Sequence, residues 1–204
     1  MNTEPVLQAI EKICPSFKGD VIGFDLTDST NRTAKEYAAR GEECLVLAER
    51  QNAGRGRYNR GFVSEKGGLY MSLCLKVEKE RLERIMKEGN AEDNGTFALG
   101  ERLIRYPVEA GEAVAKALET VFGEKFEIKL PNDVLLHKKK VVGILIEAIH
   151  HDEDIFLVFG IGVNLANPLP KELDMAANLL DLTGKQPPME YVCAEIVKEI
   201  MGIL

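Results

Sequence analysis

A chain of 204 residues, 45% hydrophobic and 29% charged, can bury a sizeable core without disulfides or metal. Its net charge of -7 gives no global electrostatic case for nucleic-acid binding. Its apolar runs fall short of the ~20 residues that a membrane span needs, and no basic stretch followed by an apolar run opens it, so no signal peptide is expected.

In chain order, residues 4–14 read as a short amphipathic helix and 21–26 as a strand. Asp28 and Ser29 are N-cap candidates for a helix to about residue 40, and Gly41 is its expected stop. Residues 44–49 form a compact apolar strand, followed by a long polar, glycine-rich loop over 51–68. Residues 69–77 alternate, with Leu69, Met71, Leu73, Leu75 and Val77 on one face and Tyr70, Ser72, Cys74 and Lys76 on the other. Residues 78–105 read as charged and irregular, with a helix over 108–122 after them. Four strands follow (126–130, 134–137, 141–149 and 155–163), and a last helix over 189–204 follows Pro187 and Pro188. Cys14, Cys44, Cys74 and Cys193 lie far apart with no CxxC pair, and read as buried reduced thiols. This order predicts an α+β fold, a mixed and largely antiparallel sheet backed by helices.

Five segments carry residue types suited to ligand chemistry. Gly54-Arg55-Gly56-Arg57-Tyr58-Asn59-Arg60-Gly61 sets three arginines and three glycines within eight positions. Glycine lets backbone approach a ligand, and arginine offers a planar fork to phosphate or carboxylate. The bland alternative is a basic surface loop; the spacing fits neither a P-loop nor a dinucleotide fingerprint. Lys129-Leu130-Pro131-Asn132-Asp133 joins two strands and brings together a cation, an amide and a carboxylate, though turn chemistry alone explains part of it. Lys138-Lys139-Lys140 leads into a strand in which Gly143 marks a bulge or a close approach. Gly160, Gly162 and Asn164 share one face by period two, leaving a flat slot for a ring or for tight packing. Asp28-Ser29-Thr30-Asn31 offers more small polar groups than capping requires.

In this order the segments DSTN, QNAGRGRYNR, GGLYMSL, KLPND, KKKVVGILIE and GIGVNL resemble the biotin–protein ligase catalytic domain over about residues 24–182. The resemblance implies a class II synthetase-like sheet shared with lipoate ligases. It implies that Ser29, Thr30, Asn31 and Gln51 bind biotin, and that Gly54, Arg55, Gly56 and Arg57 close over biotin and its adenylate. Lys140 would meet carboxylate and phosphate, with Gly143 beside it. Lys129, Asn132 and Asp133 would stand at the reaction centre, with Asn132 and Asn164 toward the nucleotide; Arg57, Lys129, Asp133 and Lys140 are the catalytic candidates. Phe62 and Leu130 stand where the family usually has tryptophan, and Asn59 where it usually has glycine.

The implied activity uses ATP with Mg2+ to convert biotin to biotinyl-AMP. It then transfers the biotinyl group to a lysine of a biotin carboxyl carrier protein or carboxylase domain. The metal ligands are not assigned. The expectation is one cytoplasmic catalytic domain over 1–204, able to form a homodimer, without nucleic-acid or membrane partners. With only about 20 residues before the first matched strand, no N-terminal DNA-binding domain is expected; the small C-terminal β domain of many members is expected to be absent. A lipoate–protein ligase and a catalytically weak biotin-binding or biotin-sensing module are the competing readings.

Overall fold

The computed structural model describes residues 1–56, 60–77 and 96–204, the stretch 96–105 as backbone only. In chain order the elements are α1 (Glu4–Ile13), β1 (Asp20–Phe24), α2 (Thr30–Ala38), β2 (Cys44–Ala48), β3 (Leu69–Lys76) and α3 (Thr96–Phe122), and then β4 (Glu127–Lys129), β5 (Asp133–Leu136), β6 (Lys139–His151), β7 (Asp154–Val163), α4 (Leu179–Thr183) and α5 (Met189–Met201). Seven strands form one sheet in the order β1-β2-β3-β7-β6-β5-β4. Only β1 and β2 run parallel; the other neighbours are antiparallel. The expected mixed, largely antiparallel sheet is therefore present.

The alternation in β3 divides the molecule. Leu69, Met71, Leu73 and Leu75, with Val77 beyond the strand end, join the main core with Ala110, Val114 and Leu118 of α3 and Val192, Ile196 and Ile200 of α5. On the opposite face Ala34 and Ala38 of α2 pack over Cys44, Val46, Cys74, Phe156 and Val158. A face carrying two alanines lets α2 lie close to the sheet, and that closeness sets the functional site.

Local signals account for most boundaries. Ser29 is the N-cap of α2, but its side chain makes no capping bond. Gly41, at φ 76, closes the far end as expected: its N–H meets Ala38 O at 3.0 Å and Glu42 N–H meets Tyr37 O at 3.1 Å, a Schellman pattern. The β5–β6 turn holds His137 and Lys138 at φ 49 and 64, left-handed values that match strand twist in a tight hairpin. One expectation is corrected. The helix expected from residue 108 begins at Thr96 and continues through Pro107. Proline lacks an N–H and is usually placed in a first helical turn, and so it misdirects the reading of this start. The Asn90–Gly95 stretch lies outside the described residues.

Among the described residues, no helix is long and apolar enough to cross a membrane. The four cysteines are free and buried. Cys44 faces Cys74 in the β2–β3 register; hydrogen bonding to that thiol, then burial, pushes the Cys44 thiol upward. Burial alone pushes Cys193 to about 12. Native protein at pH 8 should therefore take up iodoacetamide at these thiols only on unfolding. Prompt labelling of Cys44, Cys74 or Cys193, mapped by peptide mass, would contradict this packing.

Candidate active site

On the α2 face, three rows cross β3, β7 and β6: Cys74–Val158–Glu147, Ser72–Gly160–Leu145 and Tyr70–Gly162–Gly143. The glycines in the second and third rows leave the sheet bare, and two side chains fill the space. A Cβ at Gly160 would stand 2.0 Å from Asn31 Oδ1. Cβ atoms at Gly162 and Gly143 would stand 2.5 and 2.8 Å from the Phe62 ring. The ring also meets Tyr70 edge-on, with centroids 6.3 Å apart. The expected flat slot for a ring is thus occupied by the chain's own Phe62, and Asn31 lies beside it.

A cavity of about 430 Å³ opens above this floor, a volume suited to a small-molecule ligand. Its lining includes Ser29, Thr30, Asn31 and Gln51 from the start of α2 and just past the end of β2, Lys129 and Lys140 from β4 and β6 farther across the sheet, and Arg55 and Arg60 from the loop after β2. Asp133 is the sole carboxylate among the described lining residues, and Lys140 pairs with it at 2.7 Å. A protein of net charge -7 therefore presents a cationic pocket, as one built for an anion does. Lys140 Nζ also lies 6.0 Å from the centroid of the Phe62 ring.

Each wall has a local cause. The β1–β2 pairing continues past the strand ends as a Thr27–Gln51 bridge, which sets Gln51 beside the start of α2. There Gln51 Oε1 accepts the Thr30 N–H at 2.9 Å, satisfying a helix N–H that Ser29 does not cap. Gln51 Nε2 donates to Ser64 Oγ at 2.9 Å, and Ser64 donates to Phe62 O at 3.0 Å. The arginine loop folds back on itself: Phe62 N–H reaches Gly54 O at 2.9 Å and Gly56 N–H reaches Arg60 O at 2.7 Å. Asn132 Nδ2 clamps Ile144 O at 2.7 Å. The segment at 175–177 pairs with the start of β6, ahead of its pairing with β7: Lys140 N–H meets Met175 O at 2.8 Å and Ala177 N–H meets Lys140 O at 3.1 Å.

Most expected site residues converge. Ser29, Thr30, Asn31, Gln51, Arg55, Gly56, Lys129, Asn132, Asp133, Lys140 and Gly143 all line the cavity. Gly54 does not; a Cβ there would strike Phe62 O at 2.4 Å, so it serves loop packing. Asn164 does not either. It is buried at the end of β7, its Oδ1 accepting from Asn167 Nδ2 at 3.2 Å. Leu130 is 68% exposed and outside the lining. Arg57 and Asn59 lie outside the described residues. Arg60, one of the three arginines in the glycine-rich segment, also lines the cavity. Residue-type reasoning missed Ser72, Glu147, Lys35 and Ser64. Ser72 and Glu147 were hidden in apolar strands, where period two marks a polar residue on the α2 face but gives no reason for it.

A profile of the biotin/lipoate A/B protein ligase family matches residues 23–164. The chain belongs to this family. Over 174 residues it is 32% identical to the bifunctional ligase/repressor BirA of Bacillus subtilis, covering 81% of this chain and 48% of that one. It is 28% identical over 179 residues to the biotin–[acetyl-CoA-carboxylase] ligase of Mycobacterium tuberculosis, covering 85% and 60%. The ligase-family chain thus spans about half the length of the curated relatives it matches. Among solved structures, the biotin protein ligase of Aquifex aeolicus in complex with biotin and ATP aligns with a TM-score of 0.66 at 31% identity, over 91% of this chain and 70% of that one. The Leishmania major enzyme shares the fold, with a TM-score of 0.70 at 23% identity over 92% and 75%.

The glycine floor yields a structural expectation. Gly160→Ala should destabilise the ligase-family fold by about 1–3 kcal/mol through overpacking. The loss should be smaller when Asn31 is already alanine, because the clash is with that side chain. Thermal unfolding of the two single variants and the double checks this; strictly additive losses would contradict the contact.

Proposed function

We propose that this chain activates biotin with ATP to biotinyl-AMP and passes the biotinyl group to a lysine of a carrier protein or carboxylase domain. The observation that carries the reading is a cavity lined by small polar groups and by cations, with an aromatic ring on its floor. The names of the Bacillus and Mycobacterium relatives and the ligands of the Aquifex structure point the same way.

In this reading the polar head of biotin meets Ser29, Thr30, Asn31 and Gln51. The aliphatic tail crosses Phe62 and the bare strands, and the carboxylate arrives among Arg55, Lys129 and Lys140. The first step brings a carboxylate to an α-phosphate, so two anions must approach each other. Preorganised cations lower that barrier most effectively in a site that excludes water. The resemblance adds Arg57, which lies outside the described residues, to these candidates. Lys140 is held by Asp133, so it meets the ligand in a fixed position. In the second step a lysine, with an unperturbed pKa of about 10.4, must lose a proton to attack the anhydride. In this reading Asp133, a carboxylate of the lining, orients it.

Magnesium would accompany the nucleotide. It favours phosphate oxygens and water over dedicated protein cages and needs one or two carboxylates. Asp133 fits that modest demand, and no group of three or more ligating side chains is found among the described residues.

Biotin-dependent pyrophosphate release from ATP tests the reading directly. Release with biotin but not lipoate supports it; release with lipoate alone assigns the chain to the lipoate branch of the family, and biotin binding without release makes it a sensor. Lys140→Ala should slow adenylate formation roughly 10- to 100-fold, the loss of a charge-assisted contact worth about 1.5–3 kcal/mol. Because Lys140 is partly exposed, stability should change by no more than about 1 kcal/mol. Adenylate formed by this variant at the parent rate, in a single-turnover assay, would contradict the role of Lys140.

A further inference from the structure

Behind the polar side of the cavity a hydrogen-bond chain runs into the protein and ends on a carboxylate. Lys35 Nζ donates to Glu147 Oε1 at 2.7 Å. Asn31 Nδ2 donates to Glu147 Oε2 at 2.9 Å and lies 3.4 Å from Leu145 O. Asn31 Oδ1 faces the Ser72 hydroxyl at 2.6 Å, and that hydroxyl lies 2.8 Å from Thr30 Oγ1. Ser72 is fully buried, Asn31 and Thr30 nearly so. Glu147 and Lys35 stand at the rim, each side chain about 30% exposed.

The carboxylate sets the order of donors from Glu147 to Ser72. An ionised carboxylate only accepts. It therefore takes the amide nitrogen of Asn31 and turns the amide oxygen toward Ser72. Ser72 has one proton, and the Asn31 oxygen claims it. The Thr30 hydroxyl then has its one proton for Gln51 Oε1, 3.2 Å away, or for Ser72, and in either case its oxygen is left to accept on the cavity side. Gln51 is fixed in the same sense, since its oxygen is held by the Thr30 N–H. Burial alone would raise the Glu147 carboxyl, but the Lys35 and Asn31 hydrogen bonds, with the nearby charges of Lys35 and Arg55, outweigh it and hold the group below the usual glutamate range. The carboxylate is thus charged at neutral pH, and the donor order is stable.

We propose that Glu147 is a positioning residue: by fixing the Asn31 amide, which draws the Ser72 proton away from Thr30, it leaves the Thr30 oxygen to accept from an N–H donor of the ligand ring. The inference rests on the biotin reading, because a cyclic urea presents two N–H groups to such a wall.

Glu147→Gln removes the acceptor-only rule with little change in shape. Lys35 then claims the oxygen of the introduced amide, the nitrogen of that amide faces Asn31, and the Asn31 amide flips at the expense of its long 3.4 Å contact with Leu145 O. Ser72 then turns its proton to the Thr30 oxygen, whose own proton stays with Gln51. Binding of biotin by calorimetry should weaken about tenfold or more, as for a charge-assisted hydrogen bond lost. Lys35→Met keeps the carboxylate and should weaken binding less. In the double variant the introduced amide is free to turn its oxygen to Asn31, so binding should be tighter than in Glu147→Gln alone. A merely structural ion pair predicts the opposite order, with Lys35→Met as harmful as Glu147→Gln and no recovery in the double. In the ligand-free protein, the Asn31 side-chain amide resonances should move in Glu147→Gln and return toward the parent position in the double.

Equal biotin affinity in parent and Glu147→Gln, or Asn31 amide signals indifferent to Glu147→Gln, would overturn the proposal. A parent that binds no biotin at all overturns the functional reading instead, and the Asn31 signals still decide whether Glu147 sets the amide.

Discussion

The site depends on a steric constraint: three positions of two adjacent strands carry no side chain. Gly160 and Gly162 of β7 and Gly143 of β6 leave the sheet bare where Asn31 and Phe62 descend onto it. Interiors are packed to crystalline density, so even one extra methyl is felt. Here a methyl would stand 2.0–2.8 Å from the side chain above it. The same bareness brings α2 close enough for its first turn to bond with β3 and β6.

Electrostatics builds on that frame. The lining holds four cations among its described residues, only one of them paired with the lining carboxylate. Their shared neighbour is a cavity, so their charges are directed at whatever enters it. Behind the small polar groups the Lys35–Glu147 pair is satisfied on both oxygens, so its charge orders neutral groups instead of competing for the ligand. The two charge systems meet through Arg55, whose charge also favours ionised Glu147.

Much of this was legible in the sequence, for stated physical reasons. Period two in 69–77 divided β3 between two faces, and the paired glycines in GIGVNL marked a bare strand. Resemblance to a known family, more than local chemistry, singled out Lys140 and Gln51. The misses are equally physical. Asn164 shares a face with Gly160 and Gly162 by period, but β7 ends at Val163, and the asparagine turns into a buried amide cluster with Asn167. Pro107 disguised the interior of a long helix as a start. Leu130 belongs to a segment rich in site residues, yet it points to solvent. Glu147 could not be found from one strand alone, since its meaning comes from Asn31, 116 positions away in sequence.

The most direct test is a crystal structure of this chain with biotin and a non-hydrolysable ATP analogue. The biotin ring should lie against Thr30, Asn31 and Gln51, its tail across Phe62, and its carboxylate among Arg55, Lys129 and Lys140. Biotin found instead in another cavity, lined by Leu69, Phe122, Leu165 and Pro187, or with its ring at the lysines and its carboxylate at Asn31, would contradict this assignment of the site.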